Sequence, residues 1–481
     1  MGMQTYEATW YSADQFIIGE VMMSQGNTQK AIRALQALLG ARLSVAQAVR
    51  EHHGRDLSYH APALPDAVAF AESTAEVAEI AKICAAHGVP MVPFGTGTSL
   101  EGHVQALSGG VCIDLSGMKR IVALHEADLD VTVEAGVTRK ELNEYLRDKG
   151  LFFPIDPGAD ASIGGMAATR ASGTNAVRYG TMRENVLSLT VVLADGRIIR
   201  TARRARKSSA GYDLTRLFVG SEGTLGIITE VTLRLYGIPE AMSSAVVHFP
   251  DLAGAVNTVI QVIQMGIPIA RIELLNGLMM DAINKYSKLS YAAEPTLFLE
   301  FHGSEASVRE QAEMVGEIAR EHGGGNFQWT TQAEERSKLW QARHDAAYAG
   351  MALMPGAGFL TTDVCVPISR LAECILETEA DCQAAGVIAP IVGHVGDGNF
   401  HVLMGFPHDQ PAEAAKVKVL NDRLVLRAIA MDGTCTGEHG VGQGKQKFLQ
   451  AEHGEALSVM RALKAALDPQ NLMNPGKILP S

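Results

Sequence analysis

The sequence lacks an excess of positive charge, and its formal net charge is −12 over 481 residues. Such a chain, without a basic stripe, is disfavoured as a binder of nucleic acid or of an anionic membrane surface. It also lacks an apolar run approaching the roughly 18 residues of a membrane-spanning helix. No internal repeat of the kind that builds solenoids or propellers is present. These absences leave an ordinary globular protein, and at this length more than one domain is expected.

Cysteine is scarce too, with six residues and no pair at CxxC spacing. Neither a disulfide framework nor a secreted location is therefore indicated. The N-terminus carries Glu7, Asp14 and Glu20, which disfavours a signal peptide or an arginine-rich transit peptide. Together these features predict a cytoplasmic enzyme, and peripheral contact with an inner membrane is left open.

The patterning divides the chain into four predicted segments. Residues 1–58 show helical spacing, above all over 28–50, and predict a helical lead-in that packs on the main body; a membrane-surface helix is the alternative. Residues 59–237 alternate short apolar strands with helices and glycine-rich turns. Residues 238–455 again mix helices and strands, and residues 456–481 predict a helix and a proline-punctuated tail. The predicted fold class is α+β.

Three glycine-rich segments carry the first chemical indication. The first glycine loop (93–99), the second (157–174) and the third (220–228) combine small side chains with hydroxyls and few charges. Such loops let backbone N–H groups approach a diphosphate. They do not match a Rossmann fingerprint, because Leu100 stands where its third glycine would be, and they lack the Walker ending. Three unrelated turns are the alternative at this point.

The order of these loops resembles the FAD-binding domain of the vanillyl-alcohol-oxidase/p-cresol-methylhydroxylase flavoproteins, over residues 59–237 and again in the tail NPGKILP. The resemblance implies two α/β subdomains around an extended FAD, an α+β substrate (cap) domain over 238–455 and a C-terminal segment that returns to the FAD domain. Flavin-tethering members carry histidine where this chain has Gly97-Thr98-Ser99, so non-covalent FAD is expected. The residues implied to bind FAD are Pro93, Gly95, Thr96, Gly97, Thr98, Ser99, Pro157, Ser162, Gly164, Gly165, Ala168, Ser172, Gly173, Thr174, Gly223, Gly226, Ile228 and Asn474.

A second set of residues has the chemistry of a metal site. His394 and His401 lie seven residues apart in GHVGDGNFH, and Glu438 follows in TCTGEHGVG. Two imidazoles and a carboxylate suit one divalent ion, Zn²⁺ or Mn²⁺, and leave positions open for substrate. The spacing within a glycine-broken segment favours a loop that folds back on itself over a single helical face. Asp397 is a candidate to orient a ligand, and a turn-forming role is its alternative.

These motifs, with LWQARH and TTDVCVPISR, resemble the C-terminal domain of the FAD-linked D-lactate, glycolate and D-2-hydroxyglutarate dehydrogenases, most of all the cytochrome-type D-lactate branch. The resemblance implies oxidation of a D-2-hydroxy acid whose hydroxyl binds the metal. His439 is the implied base, with a fourth metal ligand or a structural donor as its alternative. Arg343 is implied to bind the substrate carboxylate, with a contact to Trp340 as its alternative, and Asn399 is implied to touch the substrate.

Ala347, Thr361 and Leu403 stand where dicarboxylate-oxidising members of this group carry polar residues. A second buried carboxylate would lack a charged partner there, so a monocarboxylate such as D-lactate is expected. Glycolate or D-2-hydroxyglutarate oxidation, a metal-dependent hydrolase without flavin, and a non-catalytic flavin-binding subunit are the alternatives. The electron acceptor stays open between a quinone, a cytochrome and an electron-transfer flavoprotein. Oligomeric state is open as well, a homodimer included.

Overall fold

A computed structural model describes the backbone of residues 11–480 and the side chains of residues 25–480. The first ten residues of the predicted lead-in and Ser481 lie outside the described residues. Within the described part, no helix is long and apolar enough to cross a membrane. All six cysteines are free thiols, five of them buried and Cys365 half-buried.

The first region is a small sheet covered by helices. Its elements are α1 (Tyr11–Leu39), β1 (Leu43–Ser44), α2 (Gln47–His53), β2 (Ala67–Phe70), α3 (Thr74–His87), β3 (Met91–Phe94) and β4 (Val111–Asp114). The strands lie in the order β1-β2-β4-β3, with the last three parallel and β1 antiparallel. Ala31, Leu35 and Leu39 recur at helical spacing and are buried in the same core as α3.

The predicted lead-in differs from the observed one in one respect. The helical spacing over 28–50 is broken at Gly40, which takes a left-handed φ of 56° and ends the long helix. The chain then adds β1 to the sheet before α2 begins. The segment is therefore part of the domain core rather than an appendage.

The second region is an antiparallel sheet with short helices on one side. Its elements are β5 (Ile121–His125), β6 (Asp130–Glu134), α4 (Arg139–Arg147), β7 (Leu151–Phe152), α5 (Ile163–Thr169), α6 (Ala176–Tyr179), α7 (Met182–Asn185), β8 (Val186–Val192), β9 (Ile198–Arg200), α8 (Leu214–Phe218), β10 (Ile227–Arg234) and β11 (Tyr236–Gly237). The order β5-β6-β10-β8-β9 places β10 at the centre, while β11 pairs with β7. Phe153, Met166 and Phe218 fill the space between this sheet and α4 and α5.

The third region is built on one large antiparallel sheet. Its elements are β12 (Ala241–His248), α9 (Leu252–Gln264), β13 (Ile269–Leu275), α10 (Gly277–Ser287), β14 (Thr296–Gly303), α11 (Glu305–Glu321), β15 (Gln328–Thr330), α12 (Ala333–His344), α13 (Ala346–Ala352), β16 (Gly358–Thr361), β17 (Val364–Cys365), α14 (Leu371–Ala385), β18 (Ile391–His394), β19 (Asn399–Phe406), α15 (Pro411–Ala430), α16 (Leu449–His453) and α17 (Ala456–Leu467). The order is β15-β12-β14-β13-β18-β19-β16, and β17 also pairs with β19.

Helices cover both faces of this sheet. Val247 and Leu299 face the core formed with α9, α11 and α14, whereas Val246 and Phe298 face the core formed with α10, α12 and α13. Neighbouring strand residues point to opposite faces, so each strand supplies both cores. The mixture of sheets and helices throughout confirms the predicted α+β class.

The C-terminal tail runs back to the first sheet. The amide of Met91 donates to the Leu472 carbonyl at 2.7 Å, and the amide of Asn474 donates to the Met91 carbonyl at 2.8 Å. Met91 and Met473 form a parallel bridge. The tail therefore lies beside β3, at the point where the first glycine loop begins.

Candidate active site

The three glycine loops and the tail come together at the end of β3. A side chain on Gly95 would place its Cβ 2.4 Å from Ser162 Oγ, and one on Gly223 would place it 2.4 Å from Pro93 Cγ. Asn474 Nδ2 donates to the Glu222 carbonyl at 2.8 Å. Loops that lie far apart in sequence thus pack too closely for side chains, which excludes the alternative of three unrelated turns.

This surface suits an extended ligand with a diphosphate. Within residues 25–480, no hydrogen bond uses the backbone amides of Thr96 to Ser99. The Ser221 hydroxyl, in the third loop, is buried and lacks a partner in the same part of the chain. Free amides in a tight loop form an anion-binding concavity. The donors therefore fit the FAD that the loops led us to expect.

Several glycine-loop residues have a structural requirement of their own. Gly164 packs against Ala135, Gly226 against Val191, and Gly173 adopts a φ of 156° against the backbone of Asp156. The Ile228 side chain is buried in the core of the second sheet. These positions shape the loops, and Ile228 has only its backbone to offer a ligand. The second loop also contains Pro157, Gly165, Ala168, Ser172 and Thr174. Thr174 Oγ1 donates to Asp156 at 2.7 Å.

The predicted metal ligands lie together in the third region. β18 and β19 form a hairpin that carries His394 and His401, as the fold-back prediction required. His394 Nε2 and His401 Nε2 each lie 3.1 Å from the same oxygen of Glu438, Oε1. One ligand atom from each residue lies within 4.8 Å of the others. Two imidazoles and one carboxylate therefore converge on one point.

The outer nitrogen of each imidazole is held by an acceptor. His394 Nδ1 donates to Glu273 Oε1 at 2.8 Å, and His401 Nδ1 donates to the Thr362 carbonyl at 3.0 Å. Because a carboxylate and a carbonyl can only accept, each Nδ1 carries a hydrogen, and in the neutral ring the Nε2 lone pair is free. This is the arrangement that metal-ligating histidines show. The donor set therefore fits a divalent cation.

Charge reinforces this arrangement. Burial opposes the protonation of His394, but the carboxylates of Glu273 and Glu438 raise its pKa well above the ordinary value. Burial likewise opposes ionisation of Glu438, and His394 and His401 lower its pKa well below the ordinary value. Two carboxylates next to one imidazole thus favour a positive charge at this point, which a cation supplies.

The predicted role of Asp397 as the residue that orients a ligand is not what the structure shows. Its side chain is exposed, and within residues 25–480 no hydrogen bond reaches its carboxylate. Glu273, from the distant strand β13, takes that role at His394. Nothing in the local sequence around Glu273 marks it, because its partner stands more than a hundred residues further along the chain.

Asp363 is the second residue that the sequence did not single out. It is fully buried, and its Oδ2 accepts hydrogen bonds from the amides of Glu438 (3.0 Å) and His439 (2.9 Å) and from Thr436 Oγ1 (2.6 Å). Burial raises the pKa of Asp363, but Lys445 and the nearby histidines bring it well below the ordinary value. The ionised carboxylate therefore holds residues 436–442, which we call the ligand loop.

His439 lies beside the metal ligands. Its ring stacks on that of His401, with centroids 4.9 Å apart, and its Nδ1 is buried without a partner among residues 25–480. Burial lowers the pKa of His439 to about 4, and the charge on His401 adds to this effect while Asp363 opposes it. A neutral imidazole with an unused nitrogen next to the ligands has the chemistry of a base.

Arg343 is already partly engaged. Its Nε and one terminal nitrogen donate to Glu273 Oε2 at 2.9 and 2.5 Å, so Glu273 joins Arg343 to His394. The alternative contact with Trp340 is not formed; Arg271 lies over that ring instead, at 4.7 Å. The second terminal nitrogen of Arg343 has no hydrogen-bond partner within the described residues and is the part left to meet a substrate carboxylate.

Asn399 is already engaged by its neighbours. Its Nδ2 donates to Asp363 Oδ1 and to the Val364 carbonyl, both at 2.8 Å. Only its Oδ1 is left for a substrate. Of the three positions expected to set specificity, Leu403 is buried, Thr361 pairs with it across β16 and β19, and Ala347 is exposed on α13.

Comparison with known proteins bears on these expectations. Residues 65–202 match the model of an FAD binding domain, and residues 238–478 match that of the C-terminal domain of FAD linked oxidases. The chain is 58% identical over 456 residues to a probable D-lactate dehydrogenase, mitochondrial, of Danio rerio, covering 94% of this chain and 92% of that protein. It is 48% identical to the mitochondrial D-lactate dehydrogenase [cytochrome] of Arabidopsis thaliana, covering 94% of this chain and 80% of the relative.

The fold is also found in solved structures. p-Cresol methylhydroxylase with substrate bound superposes with a TM-score of 0.79 at 18% identity, covering 94% of this chain and 97% of the other. At this identity the likeness concerns the fold alone, and it confirms the predicted flavoprotein architecture.

The prediction of a cytoplasmic location is wrong on this comparison. The relatives from Danio rerio and Arabidopsis thaliana are both named as mitochondrial proteins. Acidic residues near the N-terminus and the lack of an arginine-rich stretch were the grounds for the cytoplasm. Sorting signals are short segments that are separate from the folded enzyme. The composition of the N-terminal residues therefore carries little information about location.

Proposed function

The chain belongs to the FAD-linked oxidases, and from that premise we propose that it oxidises D-lactate, or a related D-2-hydroxy monocarboxylic acid, to the 2-oxo acid. The membership makes it an oxidoreductase, which removes the hydrolase alternative. The observation that carries the proposal is the convergence of His394 Nε2 and His401 Nε2 on one oxygen of Glu438. The same convergence disfavours a non-catalytic flavin subunit.

The proposed division of labour follows the predicted segments. Residues 59–237 hold the flavin through the three glycine loops, and the segment 456–481 completes the site through Asn474. Residues 238–455 hold the metal and the substrate. When bound there, FAD would supply the acceptor for a hydride from the substrate carbon, and a divalent cation would supply the charge that lowers the pKa of the substrate hydroxyl.

The chain's own groups do the rest. His394, His401 and Glu438 would hold the cation, Zn²⁺ or Mn²⁺. His439 takes the hydroxyl proton at its free ring nitrogen, and burial keeps this imidazole neutral and ready to accept. Arg343 binds the substrate carboxylate through the part of its guanidinium that Glu273 leaves free. Glu273 fixes both Arg343 and His394, so one carboxylate aligns the arginine that meets the substrate with a proposed metal ligand.

Anaerobic reduction of the flavin tests this function. We expect D-lactate, and not L-lactate, to bleach the visible flavin absorbance of the purified enzyme. Removal of the metal with a chelator should abolish bleaching, and Zn²⁺ or Mn²⁺ should restore it. A protein that cannot be loaded with FAD would contradict the proposal, and unchanged bleaching after chelation would contradict the metal site.

Substrate choice is tested in the same assay. The buried Leu403 and the neighbouring Thr361 offer no charge to a second carboxylate. We therefore expect D-lactate and longer aliphatic D-2-hydroxy acids to reduce the flavin faster than D-2-hydroxyglutarate. Glycolate belongs in the panel, and a preference for either glycolate or D-2-hydroxyglutarate would replace the proposed substrate.

The attachment of FAD and the electron acceptor are separate parts of the proposal. Gly97, Thr98 and Ser99 provide no histidine for a covalent link to the flavin. Acid precipitation of the protein should therefore release the flavin into the supernatant. Because the Arabidopsis thaliana relative is named for a cytochrome, we propose a cytochrome as the acceptor. Reduction of cytochrome c that outpaces reduction of quinones and of an electron-transfer flavoprotein would support this choice.

A further inference from the structure

Glu222 is anchored by its backbone in the glycine loops. Its amide donates to the Ala168 carbonyl in the second loop at 2.9 Å, and its carbonyl accepts from Asn474 Nδ2 in the tail at 2.8 Å. Its φ of 51° is left-handed, which a residue with a side chain rarely adopts. A strained backbone of this kind persists where the surroundings hold it in place. The loops thus fix the direction in which the Glu222 side chain leaves the backbone.

That side chain reaches across to the ligand loop. Oε1 of Glu222 accepts from the amide of Val441 at 2.7 Å, and Oε2 accepts from the amide of Gly442 at 2.8 Å. His103, from the segment after the first glycine loop, lies 3.1 Å from Oε2 and supplies a counter-charge. Hydrogen bonds to a buried, charged carboxylate are stronger than those to an exposed one.

The approach of the two segments is close. A side chain on Gly440 would place its Cβ 2.7 Å from Glu222 Oε1 and 2.8 Å from His103 Nε2. Next to it, the amide of Gln443 donates to the Glu101 carbonyl at 2.9 Å. The flavin side therefore holds the C-terminal half of the ligand loop, whereas Asp363 holds its N-terminal half, at Glu438 and His439.

We propose that Glu222 is a positioning residue that fixes the ligand loop, and with it Glu438 and His439, against the flavin-binding loops. The inference rests on the proposed function, since it assumes that Glu438 binds a metal. With both ends of the loop held, the Glu438 carboxylate is in place before the cation arrives. Loss of the Glu222 attachment lets the loop relax, which lowers metal affinity by about tenfold, the usual size of such an effect.

Glu222→Gln tests this role in the FAD-loaded enzyme. Glutamine has one acceptor oxygen, so it can keep only one of the two amide bonds and presents an N–H group to the other amide. We expect the Kd for Zn²⁺, measured by competition with a chromophoric chelator, to rise about tenfold. FAD content and absorbance should stay close to wild type.

Glu452→Gln is the matched control. Glu452 accepts one amide hydrogen, from Cys435 at 2.8 Å, immediately before the ligand loop. Its glutamine replacement can keep that single bond through the carbonyl oxygen, so the Kd for Zn²⁺ should stay within about threefold of wild type, well below the tenfold effect. An equal change in both variants would show a general loosening of the segment and would overturn the specific role of Glu222.

Hydrogen exchange gives a second measurement that needs no variant. In the unmodified FAD-loaded enzyme, the amides of Val441 and Gly442 should exchange slowly. They should stay protected after Zn²⁺ is removed, because their hydrogen bonds to Glu222 do not depend on the cation. Fast exchange at both amides would overturn the inference. Wild-type enzyme that binds no Zn²⁺ would overturn the proposed metal site itself, whereas wild-type affinity in Glu222→Gln would overturn the role of Glu222 alone.

Discussion

At the scale of single residues, Asp363 organises the loop that carries Glu438 and His439. Its fully buried carboxylate accepts from the amides of Glu438 and His439 and from the Thr436 hydroxyl, and its other oxygen accepts from Asn399. One ionised side chain therefore sets the direction of a ligand and of the base.

Asp363→Asn should weaken metal binding. An amide cannot accept all the bonds that Oδ2 receives, and its N–H groups oppose the amide hydrogens of the ligand loop. We expect the Kd for Zn²⁺ of the FAD-loaded enzyme to rise by roughly 10 to 100 times. Asp397→Asn is the control, since within residues 25–480 only the backbone carbonyl of Asp397, and not its carboxylate, accepts a side-chain hydrogen bond. Equal losses in the two variants would return the orienting role to Asp397.

His439→Gln should slow the chemical step. Glutamine retains polarity but cannot take a proton, so we expect the rate of anaerobic flavin reduction by D-lactate to fall by roughly 100-fold or more. Zn²⁺ affinity and FAD content should change little, because the proposed ligands His394, His401 and Glu438 are retained; a large loss of Zn²⁺ affinity would instead make His439 a fourth ligand. His344→Gln, an exposed histidine on α12, serves as the control. Retention of more than a tenth of the rate would assign the proton to another group.

Lys477 predicts a dependence of stability on pH. Burial lowers the pKa of this lysine to about 8, although Glu222 and Asp56 oppose the effect. Above pH 8, and up to the ordinary lysine value, the unfolded chain binds more protons than the folded chain, so raising the pH stabilises the fold. Over this pH range the free energy of unfolding rises by about 3 kcal/mol in total.

The comparison with Lys477→Met isolates this contribution. Loss of the bond from Lys477 Nζ to the Gln105 carbonyl affects the variant at every pH, whereas the proton-linked contribution is confined to the wild type. Melting temperatures from pH 7 to 10 should therefore show the wild type gaining on the variant as pH rises. Parallel profiles would mean that the lysine keeps its ordinary pKa.

At the scale of elements, the glycine loops depend on contacts between loops rather than on each turn alone. Gly223 has a φ of 72°, and its hypothetical Cβ would overlap Pro93 in the first loop. The sequence predicts the loops because runs of small residues allow close approach, but it does not state which loop meets which.

Gly223→Ala should reduce FAD binding. The added methyl group forces the first and third loops apart, so we expect a lower ratio of flavin to protein absorbance and a weaker Kd for FAD. Gly386→Ala is matched for backbone conformation, because Gly386 has a φ of 68° with no atom within 4 Å of a Cβ. Both variants carry strain of about 1–2 kcal/mol, so a similar loss of FAD in both would exclude the specific contact.

At the scale of the whole molecule, polar side chains connect residues 59–237 with the cap, residues 238–455. Arg271 of β13 donates to Asn175 Oδ1 at 3.0 Å, lies 3.4 Å from Asp156, and stacks on Trp340 of α12. Tyr179 donates across the same boundary, with its hydroxyl 2.8 Å from His302 Nδ1. The residues on either side of the second glycine loop and the helix that carries Arg343 are thus joined by one side chain.

Arg271→Met should destabilise the molecule. It leaves Asp156 with a buried, uncompensated charge, at a cost of about 3–5 kcal/mol. We expect the melting temperature to fall by about 5 °C or more. Arg370→Met removes an exposed pair with Glu373 and should shift it by less than about 2 °C. Equal shifts would show that the pairing across the boundary adds no stability.

The sequence by itself determined the class of the fold, and it predicted the three glycine loops and the site residues His394, His401, Glu438 and His439. It could do so because small-residue runs, helical and strand periodicity, and histidines among glycines are local patterns with direct physical causes. Tertiary structure alone decided what surrounds them. Glu273, Asp363 and Glu222 stand far from their partners along the chain, and a buried carboxylate acquires its role only from the donors that folding places around it.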